Sequence, residues 1–100
     1  MEENYAVIAS KKGTIFYYDF NNGGNVFEVK RRKESGTIQK IGIDRKKFGY
    51  LSDRIDYDGF DVTKGILIEP TERKIIFDDS LLPSLLINKK ELERRIKEVI

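Results

Sequence analysis

Short apolar runs separated by turn-forming residues fill the first half of the chain. The segments with the length and composition of strands are residues 4–10, 14–20, 26–32 and 37–43. Phe27 and Val29 alternate with polar positions, which is the two-residue period of a half-exposed strand. Glycine-containing clusters rich in Asn, Ser and Lys lie between the segments. Because these links are too short for a parallel crossover, the pattern predicts an antiparallel meander.

The second half begins with a weaker pattern. Phe48, Leu51 and Ile55 recur at spacings of three and four after Asp44, a possible N-cap, but Gly49 disfavours a helix. Residues 44–56 are therefore open between a helix and a loop. Residues 65–69 and 73–77 then form two apolar runs around a proline-containing turn, and these runs predict a second hairpin.

The last fifth of the chain predicts helices. Ser80 is the expected cap of a short helical turn through residue 87. Asn88 and Glu91 have the spacing of a capping box for a longer helix. That helix has one apolar stripe, formed by Leu92, Ile96, Val99 and Ile100. Its opposite faces have two possible ion pairs, Glu91 with Arg95 and Glu93 with Lys97.

These elements predict one α+β domain over residues 1–100, with strands to about residue 77 and helical structure from about residue 80 to 100. We expect an antiparallel sheet of five or six strands, either open or curled into a partly open barrel. The C-terminal amphipathic helix should cover one face of this sheet.

Positive charge is concentrated on the meander. Residues 10–47 hold ten Lys and Arg against four Asp and Glu, or +6, although the whole chain carries only +2. Short turns in a meander can bring such cations together, and clustered cations are typical of nucleic-acid-binding surfaces. The candidate cations are Lys11, Lys12, Lys30, Arg31, Arg32, Lys33, Lys40, Arg45, Lys46 and Lys47.

The second predicted strand has aromatic residues on both faces. Phe16 and Tyr18 share one face, and Tyr17 lies on the other. If Tyr17 or Tyr18 is exposed, its ring can stack on a base, as in single-strand-binding proteins. A central strand of a small core also needs apolar residues on both faces, so the two interpretations remain open here.

Composition argues against most catalytic and metal chemistry. The chain has no cysteine and no histidine, so thiol nucleophiles, imidazole acid–base catalysis and the commonest zinc ligands are absent. The run D-R-I-D-Y-D-G-F-D resembles a calcium loop at Asp56, Asp58 and Gly59, but Arg54 and Gly65 stand where that loop needs acids. We therefore expect no enzyme activity, no metal site and no cofactor.

Two functions are favoured over a third, a small enzyme or ligand binder, which would need a deep polar cleft. The first is a small non-catalytic nucleic-acid-binding module that uses the basic, aromatic-bearing meander. The alternative is a protein-interaction module, such as an inhibitor or adaptor, that acts through a sheet edge or the C-terminal helical segment. The chain has no long apolar run and no secretory signal pattern, so we expect a cytoplasmic protein without membrane contact.

Overall fold

The computed structural model describes residues 4–21, 25–43, 60–64, 66–69, 74–77 and 80–100, with only the backbone given for residues 66–69, 74–77 and 82. The strands in these ranges are β1 (Tyr5–Lys11), β2 (Thr14–Asp19), β3 (Asn25–Arg31), β4 (Ile38–Ile43), β5 (Asp61–Val62), β6 (Ile66–Glu69) and β7 (Lys74–Phe77). The helices are α1 (Leu82–Leu85) and α2 (Lys89–Val99). Among the described residues, no helix is long and apolar enough to cross a membrane.

β1 to β5 form one antiparallel sheet in the order β4-β3-β2-β1-β5. The predicted meander is therefore confirmed, and so is the α+β class with a C-terminal helix. The sheet is open, because β4 and β5 lie at its two edges rather than pairing with each other. β6 and β7 form the predicted second hairpin as a separate two-stranded sheet.

Glycine permits the two turns at one end of the meander. Gly13 links β1 to β2 with a φ of 91°, and Gly36 precedes β4 with a φ of 70°. A side chain is strained in this left-handed region, so glycine is the residue that each turn requires.

The sheet buries a cluster of side chains on each face. The outer cluster consists of Ile8, Ala9, Phe16, Tyr18 and Val26. The helix-side cluster consists of Val7, Ile15, Tyr17, Val29 and Leu92. β2 contributes to both clusters, because successive side chains of a strand point to opposite faces. This strand is the middle one of the five-stranded sheet.

α2 covers the helix-side cluster as predicted. Leu92 is buried, and Ile96, Val99 and Ile100 pack around it against the sheet. The side chain of Asn88 accepts a hydrogen bond from the Glu91 backbone N–H at 2.8 Å, which confirms Asn88 as the N-cap.

Two local predictions about the helices are corrected. The N-cap of α1 is Leu81 rather than Ser80, and Leu81 has no side-chain oxygen to accept a backbone N–H. Within this turn the Ser84 hydroxyl donates to the Leu81 carbonyl at 2.7 Å. On α2, Glu91 pairs with Arg95 at 3.2 Å as predicted, and Arg94 joins Glu91 and Glu98. The pair of Glu93 with Lys97 is not among the ion pairs of the described residues.

Two segments singled out in the sequence lie outside the described residues. They are residues 44–56, open between helix and loop, and most of the acidic run that resembles a calcium loop.

Candidate nucleic-acid interface

The meander brings two turns together at one end of the sheet. β1 ends at Lys11, opposite Thr14, and β3 ends at Arg31, opposite Ile38. Thr14, the first residue of β2, pairs with Lys30 near the end of β3, so the two turns lie side by side at the ends of these adjacent strands. The Arg31 N–H donates to the Gly13 carbonyl at 2.9 Å and joins the first turn directly to the end of β3.

Six of the predicted cations lie at this end, which we call the basic end: Lys11, Lys12, Lys30, Arg31, Arg32 and Lys33. All except the half-buried Lys30 are exposed, and Glu34 is the acid in the second turn. Lys11 and Lys12 are far in sequence from the run Lys30 to Lys33, so the pairing of β2 with β3 is what brings the two groups to the same end. Cations grouped at one end of a sheet raise the local positive potential.

Backbone hydrogen bonds order the second turn of the basic end. The Arg32 N–H donates to the Thr37 carbonyl at 2.9 Å, and the Gly36 N–H donates to the Arg32 carbonyl at 2.8 Å. The hydroxyls of Ser35 and Thr37 are also hydrogen-bonded to each other at 2.7 Å. The exposed cations therefore extend from a fixed backbone.

Arg31 differs from the other cations because it holds the end of α2. Its Nε donates to the Ile100 carbonyl at 3.0 Å, and its Nη1 donates to the Gly36 carbonyl at 2.9 Å. The Gly13 N–H also donates to the Val99 carbonyl at 2.6 Å. A cation at a helix C-terminus is stabilising because the carbonyls there carry partial negative charge. Arg31 is thus a structural clamp as well as a surface cation.

One cation at this end was missed from the sequence. Lys97 is exposed in the last turn of α2, and the end of that helix lies against Gly13 and Arg31. Its position depends on the direction of α2 across the sheet. That direction is set by a tertiary contact: Ile87, just before α2, pairs with Tyr5 at the start of β1, so the helix runs from there toward the basic end.

Lys40 lies away from the basic end, on the helix-side face of β4. Its Nζ is 4.6 Å from the ring centroid of Phe27 and 5.9 Å from that of Tyr17. These two rings stack at 5.4 Å with an interplanar angle of 27°. The exposed ammonium is therefore held over an aromatic pair by cation–π attraction.

Tyr17 and Tyr18 are both core residues. Tyr17 is 4% exposed and Tyr18 is 9% exposed, on opposite faces of β2. The ring of Tyr18 lies 4.4 Å from that of Phe20, and Tyr17 is covered by Phe27 and Tyr5. Neither ring offers a bare face for a base, so the interpretation of β2 as a central core strand fits these two residues.

The last three predicted cations, Arg45, Lys46 and Lys47, lie outside the described residues. Within the part of the chain that is described, no group of three or more acidic side chains is placed to hold a metal ion.

Comparison of the chain with protein-family models, with curated proteins and with solved structures finds no match. Support for a function therefore comes from the geometry of the described residues.

Proposed function

We propose that this domain is a small non-catalytic module that binds nucleic acid through phosphate contacts at the basic end. The observation that carries the proposal is the side-by-side arrangement of two turns with their exposed Lys and Arg side chains. Lys and Arg that neutralise phosphates release condensed counterions, and this release drives binding independently of sequence. The module needs no histidine or cysteine for this task.

The burial of the tyrosines shapes the expected binding mode. Since Tyr17 and Tyr18 pack in the two clusters, they support the fold rather than stack on bases. Lys11, Lys12, Arg32 and Lys33 are exposed and can reach phosphate oxygens. Phosphate contacts position a protein on nucleic acid but do not read its sequence. We therefore expect weak preference among sequences and strong dependence on salt.

A charge-removal experiment tests this function. The variant Lys30→Gln/Arg32→Gln/Lys33→Gln removes three cations but keeps Arg31, because Arg31 holds the end of α2. We expect weaker binding and a log K against log salt slope that is shallower by about 1 for each phosphate that the variant no longer neutralises. Fluorescence anisotropy with single-stranded and duplex DNA over a salt series measures both.

The matched control is Lys64→Gln/Lys89→Gln/Lys90→Gln, which removes the same charge from exposed sites elsewhere. Lys89 and Lys90 start α2 near Tyr5, at the other end of β1. This control should retain the wild-type slope. Absence of binding to single-stranded DNA, single-stranded RNA and duplex at about 50 mM salt would reject the function, since electrostatic affinity is generous there.

A second candidate function is a protein-interaction module. The observation that favours it is the edge strand β4, where Ile38 is 56% exposed. The apolar stripe of α2 is a weaker candidate, because it already packs against the sheet. A stoichiometric protein that co-purifies after nuclease treatment would favour this second function over the first.

A further inference from the structure

Alternate residues of β4 direct their backbone N–H and C=O groups toward the outer edge of the sheet. Within the described residues β4 pairs only with β3. The Arg32 N–H donates to the Thr37 carbonyl, and hydrogen-bonded pairs alternate along an antiparallel ladder. Gln39, Ile41 and Ile43 therefore direct their backbone groups toward β3. By the same alternation, Ile38, Lys40 and Gly42 direct theirs toward the outer edge, where an added strand would bond.

Ile38, Lys40 and Gly42 also lie on the helix side of the sheet, and all three are exposed. α2 packs mainly over β1 and β2, and the side of β4 formed by these residues remains exposed. A side chain at position 42 would meet the Phe27 ring at 3.3 Å, so the ring fills the space beside this glycine.

The positive charge on and beside β4 favours some kinds of added strand over others. β4 has one charged residue, Lys40, and the turn before it contributes the exposed Arg32 and Lys33. The cation–π contact keeps the Lys40 ammonium above the helix-side face. Opposite charges across neighbouring strands attract, and like charges directly opposite are destabilising. A carboxylate on the same face of an added strand would therefore attract Lys40, whose flexible side chain can turn from the Phe27 ring toward the outer edge.

A second copy of β4 fits this edge less well. In an antiparallel pair centred on Lys40, the two lysines would lie directly opposite each other. Centred on Ile41, each Lys40 would face Gly42 of the other copy and gain no charge partner. Lysine on an edge strand is a recognised guard against such self-pairing.

We propose that the outer edge of β4 accepts an extended acidic segment of a partner protein, with a carboxylate opposite Lys40 and apolar side chains beside Ile41 and Ile43. This inference rests on the second candidate function and adds the chemistry of the partner. Main-chain bonds to Ile38, Lys40 and Gly42 would supply general affinity, and the charge pair would supply selectivity.

The test uses the full chain and short synthetic peptides that alternate Val with Glu, Gln or Lys. We expect the Glu peptide to bind roughly fivefold more tightly than the Lys peptide, because one cross-strand pair changes from opposite to like charge. Binding should protect the amide protons of Ile38, Lys40 and Gly42 from exchange, as read by NMR. Lys40→Glu should reverse the preference, whereas Lys64→Glu should not.

Each alternative result has a distinct meaning. Equal protection of these amides by all three peptides would overturn the acidic partner but keep a protein-binding edge. Failure of every peptide to protect them would overturn both. Protection that grows with protein concentration alone would assign the edge to a second copy, and protection by single-stranded DNA would assign it to nucleic acid.

Discussion

β2 and β4 are strands of six residues in the same meander, separated only by β3, yet their environments are opposite. β2 is buried along almost its whole length, from Ile15 to Asp19. In β4 no residue is buried, and exposed and half-buried positions alternate. β2 pairs with a strand on each side and has a side-chain cluster on each face, whereas β4 is an edge strand and α2 packs mainly over β1 and β2.

The contrast shows that the aromatic residues of the meander are mainly buried, whereas its basic residues are mainly exposed. Aromatic residues on both faces of β2 fill two clusters, so their rings are used for stability. The exposed cations of the meander lie mainly at its turns, and β4 adds one exposed cation, Lys40. Adjacency in sequence between an aromatic strand and a basic turn is therefore weak evidence for base stacking.

The largest predicted effect comes from truncating β2. Phe16→Ala, Tyr17→Ala and Tyr18→Ala should each lower the free energy of unfolding by about 3–5 kcal/mol, because each removes a buried ring. Ile38→Ala on β4 should cost no more than about 0.5 kcal/mol, since its side chain is largely exposed. Urea unfolding of the four variants measures the difference.

The tyrosine variants also separate a core role from a binding role. A variant with wild-type stability but weaker single-strand binding would show that Tyr17 or Tyr18 leaves the core to meet a base. Reduced stability with an unchanged salt slope would agree with their burial.

Much of this fold could be predicted from periodicity. Alternation in residues 26–32 and helical spacing at Leu92, Ile96 and Val99 identify a strand and a helix face, because each pattern has one structural period. Periodicity could not identify the N-cap of α1, because this short helix of Leu, Pro and Ser could begin after Ser80 or after Leu81. Burial of Tyr17 and Tyr18 depends on β2 being central, and strand order is a tertiary property.

The second prediction asks whether the burial of β2 depends on α2. Ile96→Asp should lower the free energy of unfolding by about 3 kcal/mol, because it places a charge against the helix-side cluster without a partner. Arg94→Ala is the control on the exposed face and should change stability little, because solvent screens its ion pairs with Glu91 and Glu98. Thermal melts compare them, and equal small shifts would indicate that the stripe of α2 serves a partner instead.

The basic end was only partly predictable. Runs such as Lys30 to Lys33 are visible in the sequence, and the meander explains why two turns meet. The clamp made by Arg31 and the nearby Lys97 could not be foreseen, because both depend on where α2 ends on the sheet. This distinction has a practical consequence: removing all four cations of the run would also remove the clamp on α2.

The smallest predicted effect is the loss of stability in acid that comes from Glu91 on α2. Hydrogen bonds from Arg94 and then Arg95 lower the pKa of Glu91 from 4.5 to about 2. Since the folded state lowers this pKa, the carboxylate stabilises the fold above about pH 4.5, and that contribution disappears as the pH falls toward 2. The contribution is small and weakened by salt, because the Glu91 side chain is one-third exposed.

Glu91→Gln should therefore flatten the fall in stability between about pH 4.5 and 2, with Glu93→Gln on the same helix as the charge-matched control. NMR titration of the Glu91 carboxyl should show the lowered pKa directly. As the pH falls toward 2, the amide protection factors of α2 should decrease, once the slower intrinsic exchange in acid is corrected for. Equal slopes for the two variants, or a Glu91 pKa near its ordinary value, would show that the Arg94 and Arg95 contacts do not persist in solution.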